Sequence, residues 1–218
     1  MANVLLGVTG SVAALKTPEL HAALRQAGHR VRVVATAASL YFFDPRHLDP
    51  GRSDRNPEVV VLDEDEWPGR EEGLLARRGD AVLHIELRKW ADLLMIAPLD
   101  ANTLAKMANG LADNCLTCVC RAWDPVRPVV LAPAMNTLMW EHPATPRHLL
   151  QLAADAGVPC PLGNADLLAL VDWINSECPR LQVVPPQSKQ LFCGDVGVGA
   201  MAEVSEIVSS VSRQVATT

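Results

Sequence analysis

Apolar positions along the chain gather into short runs separated by longer amphipathic stretches. Asn3 to Thr9 (NVLLGVT) is an apolar run closed by Gly10 and Ser11, which predicts a buried strand turning into a helix. From Ser11 to Gly28, Leu15, Leu20, Leu24 and Ala27 recur at helical spacing, and Gly28 supplies the stop. Val31 to Thr36 predicts a second strand, followed by a short helix through Leu40 to Phe43. Asp44 to Glu58 contains three prolines and predicts a loop. Val59 to Leu62 predicts a short strand, and the charged stretch Asp63 to Asp80 a solvated excursion.

Ala81 to Trp90 reads as a short helix leading into Leu93 to Ala97, the clearest central strand. Asn102 to Ala112 and Asn114 to Trp123 predict helices, Val129 to Ala132 a strand, and Thr145 to Ala156 a helix ending at Gly157. Further on, Asp166 to Ile174 has helical periodicity before Pro179, Pro185 and Pro186 interrupt it. Gly194, Gly197 and Gly199 lie around Cys193 in a stretch that reads as a flap, ahead of a last helix from about Ala202 to Val215. Strands alternating with helices predict an α/β fold, a mainly parallel sheet with helices on both faces. No repeat period or low-complexity tract is present.

Composition narrows the picture. The 218 residues suit one domain, and a hydrophobic share of 49% excludes a disordered chain. Nineteen basic against twenty-five acidic residues give a net charge of −6, which argues against a nucleic-acid partner. No apolar run approaches the roughly 20 residues that span a bilayer. The best candidate, Val129 to Trp140, carries Pro133 and Asn136, and no basic segment precedes the first apolar run. Six cysteines are too few for a disulfide scaffold. The expectation is a soluble, reduced, cytoplasmic protein with no membrane partner.

Ligands of doubly wound sheets sit at the carboxyl ends of the strands, and three loops leave such ends. Gly10-Ser11 opens a helix, where backbone N–H groups and a hydroxyl can hold a phosphate or simply cap the turn. Pro98 to Thr103 follows a wholly apolar strand, and Asp100 or Asn102 there can serve as an N-cap or face a ligand. In Ala134 to Trp140, Asn136 is an amide among hydrophobes and needs hydrogen-bond partners. Cys115, Cys118 and Cys120 have the wrong spacing for paired zinc half-sites, so packing is favoured and no metal is expected. His84 lies between Leu83 and Ile85, where a satisfied core histidine is the plain reading, and Cys193 lies among glycines.

Taken together these segments carry a resemblance. Gly10-Ser11-Val12-Ala13-Ala14, His84 to Asp92, Ala97 to Thr103, Pro133 to Trp140, Cys193-Gly194-Asp195 and Gly199-Ala200-Met201-Ala202-Glu203 occur in this order. The chain, from Asn3 to about Ser209, resembles the homo-oligomeric flavin-containing cysteine decarboxylases, and among them those acting on 4′-phosphopantothenoylcysteine in coenzyme A biosynthesis. The resemblance implies a flavodoxin-like Rossmann variant binding FMN, assembled as a homotrimer with sites between protomers. It implies that Gly10, Ser11, Thr36 and Ser39 hold the FMN phosphate, while Phe42, Asp100, Ala101, Asn102 and Thr103 contact the rest of the flavin. His84, Asn136 and Cys193 match the catalytic positions, and Asn136, Lys89, Ala200 and Met201 the substrate contacts. The histidine and the flap cysteine of one site can come from different subunits.

The implied chemistry explains these residue types. Direct loss of CO2 from a cysteinyl carboxylate leaves a carbanion with no electron sink. Oxidation of C–SH by flavin gives a thioaldehyde, whose C=S group accepts the electrons as CO2 leaves and an enethiolate forms. Re-reduction, with a proton from Cys193, gives the saturated thiol, 4′-phosphopantetheine. Asn136 suits the substrate carboxylate and amide, and the His84 imidazole can relay a proton near neutral pH. Two features depart from the family pattern. Lys89 follows Arg88 where a second arginine is usual, which removes a bidentate fork. The stretch Pro161 to Pro186 is longer than expected and reads as an added helix. A peptidyl-cysteine decarboxylase is the enzyme alternative, since a flavin prenyltransferase would not need Asn136 and Cys193. A regulatory phosphatase subunit is the non-enzymatic alternative, set aside because the chain opens on its first strand and closes at Thr218.

Overall fold

The central strands are apolar along their whole length because helices cover both faces of the sheet they form. The computed structural model describes residues 1–49, 51, 54–159, 166–190 and 196–216. Strands β1 (Asn3–Val8), β2 (Arg30–Ala35), β3 (Val60–Leu62), β4 (Leu93–Leu99), β5 (Val129–Pro133) and β6 (Leu181–Val183) make one parallel sheet in the order 3-2-1-4-5-6. Leu6 pairs with Val33 on one side and Met95 on the other, and all seven residues of β4 are buried. This is the doubly wound parallel sheet expected from the alternation of strands and helices, and it agrees with the flavodoxin-like Rossmann variant that the resemblance implied.

Alternate residues of the strands feed two cores. Val4, Leu6 and Val8 pack with Leu20 and Leu24 of α1 (Thr17–Gln26) and with Ile207 and Val211 of α8 (Val204–Ala216). Leu5, Leu94 and Ile96 face α2 (Leu83–Trp90), α4 (Cys115–Arg121) and α6 (Ala144–Asp155) through Leu87, Leu116 and Leu149. Burying each leucine contributes about 1.5–3 kcal/mol. Gly7 lets α4 lie close on the sheet, since a Cβ there would stand 2.6 Å from the Leu116 Cδ1.

The helix expected from Ser11 to Gly28 is split into a 3-10 turn over Val12–Lys16 and then α1. Pro18, in the first turn of α1, cannot donate the hydrogen bond that a continuous helix would require. The break turns Leu15 outward to 59% exposure, and Ala27 lies exposed at the helix end, while Leu20 and Leu24 remain buried. The helix expected over Asn102 to Ala112 closes early, as α3 (Ala101–Ala108), and Gly110 follows at φ +67. The expected solvated excursion begins with a structured turn, Asp63–Glu66, whose last residue is buried. The stretch expected to be an added helix, Pro161 to Pro186, contributes to the sheet. Residues 161–165 lie outside the described residues. The remainder forms α7 (Leu167–Glu177) and the edge strand β6, tied together where Asn175 Nδ2 donates to the Val183 carbonyl and Asn175 Oδ1 accepts the Val183 N–H, each at 2.8 Å. Beyond it, β7 (Gln187–Gln190) and β8 (Val196–Ala200) form an antiparallel hairpin.

The fold carries an acid-sensitive position. Burial, reinforced by Arg25 and opposed by Asp49, lowers the His21 pKa to about 4. The folded chain therefore holds His21 neutral where the unfolded chain is protonated. Stability is fully present above about pH 6.5 and falls as the pH drops toward 4. With screening by the solvent that still reaches the ring, the loss attributable to His21 is about 2 kcal/mol. Urea titrations at pH 7 and pH 4 should show a smaller acid loss for His21→Gln than for the unmodified chain. Equal losses would exclude this origin.

Candidate active site

In this strand order the winding of the sheet reverses between the parallel strands β1 and β4, and a crevice opens beyond their carboxyl ends. Thr9 fixes the two lips. Fully buried, its Oγ1 donates to the Pro98 carbonyl at 2.8 Å and accepts the Asp100 N–H at 2.8 Å. Three polar residues expected at these strand ends, Ser11, Asp100 and Asn136, are caps. Ser11 Oγ accepts from Ala13 N–H at 3.3 Å, Asp100 Oδ1 from Thr103 N–H at 2.7 Å, and Asn136 Oδ1 from Leu138 N–H at 2.9 Å, at the start of α5 (Thr137–Trp140). The caps also converge: Gly10, Ser11, Asp100, Ala101 and Asn136 line one cleft of about 580 Å³.

Phe42 and Met139 supply apolar wall, and Gly199 and Ala200 of the hairpin line it together with Met201. The hairpin is held by Met135 N–H donating to the Gly199 carbonyl at 2.9 Å. Close approach requires glycine at two points. A Cβ on Gly10 would stand 2.7 Å from Ala38 Cβ, and one on Gly199 would stand 2.1 Å from the Met135 carbonyl oxygen. Gly199→Ala must push the hairpin off this loop and is expected to cost about 1–3 kcal/mol, a fall in Tm of roughly 3–10 °C. A calorimetric Tm unchanged from the parent would contradict this packing.

Two lysines stand at the cleft, and both are engaged. Glu203 accepts from Lys189 Nζ, from Gln187 Nε2 at 3.2 Å and from Lys16 Nζ at 3.4 Å. The Lys189 hydrogen bond first, then those of Gln187 and the charge of Lys16, hold the Glu203 carboxyl at a pKa of about 2. Gln187 Nε2 also donates to the Met201 carbonyl at 2.7 Å.

Other expected site residues lie elsewhere. Thr36 and Ser39 are buried behind the wall, where Thr36 Oγ1 donates to the Val8 carbonyl at 3.2 Å and Ser39 Oγ to the Thr36 carbonyl at 2.7 Å. Thr103 is buried in the first turn of α3 and Asn102 is exposed there. Lys89 projects from α2 and pairs with Glu86 at 3.0 Å. His84, also on α2, does not line the cleft of its own chain. Its Nδ1 lies 2.5 Å from Glu66 Oε1, and its backbone N–H donates to Glu66 Oε2 at 3.1 Å. Cys193 lies outside the described residues.

The thiols of α4 are not poised for reaction. Burial first, then Glu66, pushes the Cys115 thiol up, and burial takes Cys120 to about 12. Among the described residues no group of three or more His, Cys, Asp and Glu is placed to hold a metal ion, and no helix is long and apolar enough to cross a membrane.

The profile of the Flavoprotein family matches residues 1–216. Phosphopantothenoylcysteine decarboxylase of Mus musculus is 45% identical over 210 residues, covering 96% of this chain and 85% of the mouse protein. The chain belongs to this decarboxylase family. Its members include a solved PPC decarboxylase, a cysteine-to-serine variant complexed with pantothenoylaminoethenethiol. That structure matches with a TM-score of 0.76 and 43% identity, covering 100% of this chain and 99% of the other. The FMN-binding protein AtHal3 matches with a TM-score of 0.73 and 44% identity, over 100% of this chain and 98% of that one.

Within this decarboxylase, sequence reasoning passed over four residues that the structure makes prominent. Thr9, Lys16, Lys189 and Glu66 gain their roles only from partners 14 to 187 positions away. Glu66 sits at the end of an acidic run, so its burial has no local signal.

Proposed function

We propose that this chain catalyses the FMN-dependent decarboxylation of 4′-phosphopantothenoylcysteine to 4′-phosphopantetheine, working in the cytoplasm as a homotrimer whose sites lie between protomers. The observation that carries this reading is the cleft whose lining brings together the Gly10-Ser11 turn, Asn136 and Gly199 to Met201. FMN fits these residues. A phosphate can rest on the turn that Gly10 keeps tight, and the volume beside Phe42 and Ala101 admits a flat ring system. Thr36, Ser39 and Thr103 shape those loops from behind. When bound, FMN supplies a two-electron acceptor and donor.

The chain's own groups do the rest. Asn136 holds the substrate carboxylate and amide by hydrogen bonds and orients the C–CO2 bond. Once the thiol-bearing carbon is at the thioaldehyde level, the electrons left by CO2 pass onto sulfur. Cys193 then protonates the enethiolate carbon during reduction. His84 handles a proton from a neighbouring copy, a role supported by its absence from the cleft wall of its own chain. The enethiol ligand of the cysteine-to-serine relative supports a cysteine acid at that stage.

The test is to record the visible spectrum of the purified protein, then supply 4′-phosphopantothenoylcysteine while following CO2 and product mass. A yellow protein that yields 4′-phosphopantetheine bears the reading out, whereas a yellow but inert one points to a peptidyl-cysteine substrate instead. Cys193→Ser is expected to release CO2 yet accumulate a thiol two hydrogens short of 4′-phosphopantetheine, at least tenfold over the saturated product. Normal conversion by that variant would refute the acid role.

A further inference from the structure

Glu66 is a carboxylate at 2% exposure in a turn that sequence alone leaves in solvent. A buried carboxylate is costly unless its oxygens are occupied by donors. Here Oε2 accepts the backbone N–H of His84 at the start of α2, and Oε1 meets the imidazole Nδ1 at 2.5 Å. Burial, helped by the Glu66 charge, also raises the Cys115 thiol of α4.

From this geometry we propose that Glu66 is a positioning residue for His84, fixing the tautomer with hydrogen on Nδ1 so that Nε2 is the nitrogen presented to substrate. The inference rests on the proton-handling role read above for His84. A carboxylate only accepts, so a neutral imidazole facing it must carry its hydrogen on the facing nitrogen. The double contact, to ring and to backbone of one residue, also fixes the direction in which the ring leaves the helix.

Among the described residues, Glu66 is the hydrogen-bond partner of the imidazole. The other charged groups packed nearby are otherwise engaged. Asp63 accepts the N–H groups of Ala37 and Cys115, Asp113 pairs with Lys106, Glu86 pairs with Lys89, and Arg88 donates to the Ala122 carbonyl. The neighbouring thiols, Cys115 and Cys118, are both pushed up, with burial the first cause, and stay protonated.

The experiment uses the FMN-loaded protein labelled with ¹⁵N-histidine. In the unmodified chain the His84 ring should show a protonated Nδ1 and a bare Nε2 at pH 8. Glu66→Gln leaves one accepting oxygen for the two His84 donors. It should lower kcat by about 10- to 100-fold, keep KM within threefold, retain FMN and change the His84 ring signature. Glu66→Asp should restore part of the lost kcat. A bare Nδ1 in the unmodified chain overturns the proposal without any variant having to fold. A Glu66→Gln kcat within twofold of the parent overturns it too, provided His84→Asn is inactive. Full turnover by His84→Asn would instead overturn the reading of His84 itself, which separates the two failures.

Discussion

Asn136→Asp is expected to give a folded, yellow protein whose kcat/KM on 4′-phosphopantothenoylcysteine is lower by about 10²- to 10³-fold. The substitution is close to isosteric, and an aspartate at this position can still accept the Leu138 N–H that caps α5. The loop therefore keeps its shape, and the Met135 contact with Gly199 has no reason to move. What changes is the cleft wall, where a second negative charge would face the carboxylate of the substrate in a site only partly reached by water. Like charges opposed in such surroundings cost several kcal/mol. Asn136→Ala should behave differently, losing about 1 kcal/mol of stability with the cap as well as turnover. CO2 release, FMN content and Tm measured together separate the two cases. Turnover of Asn136→Asp within threefold of the parent would remove Asn136 from substrate binding.

The second large effect is expected at His84. His84→Asn should retain FMN, since the Gly10-Ser11 turn, Phe42 and Ala101 that line the cleft are unchanged, yet lower CO2 release by about 10²- to 10⁴-fold, the usual worth of a positioned acid or base. The proposed sharing of sites between protomers adds a sharper measurement. Coexpressed His84→Asn and Asn136→Asp chains should regain activity that neither has alone, because a mixed assembly contains sites with one intact residue from each chain. No recovery in mixed assemblies of confirmed composition would place both residues of a site on one chain.

Much of this was legible in the sequence, for identifiable reasons. β1 and β4 announce themselves because strands covered on both faces read as unbroken apolar runs. The cleft was legible because Gly10-Ser11, Asp100 and Asn136 each end a strand, and strand ends on one edge of a parallel sheet must converge. The split at Pro18 was also readable, but the apolar spacing of Leu15, Leu20 and Leu24 outweighed it. The edge strand β6 escaped because it is three residues long and lies among prolines. The placement of His84 escaped for a different reason. A histidine flanked by apolar residues says nothing of a carboxylate 18 positions earlier, and only the folded turn at Asp63–Glu66 brings the two together. The partners of Thr36 and Ser39 were not legible either, since the Thr36 hydroxyl donates to the Val8 carbonyl at the end of β1 and the Ser39 hydroxyl to the Thr36 carbonyl.

The mouth of the cleft carries its own counter-ion. Glu203 sits at the start of α8 and engages Lys189 of the hairpin and Lys16 of the first loop, so three separate segments share one charge cluster. An anion arriving there does not meet two open cations. It meets an exchange reaction, in which it must displace a carboxylate tethered at high local concentration. A singly charged ligand gains little from that exchange, whereas a phosphate dianion offers more charge than the group it replaces. Any anion that engages both lysines must therefore first separate them from Glu203.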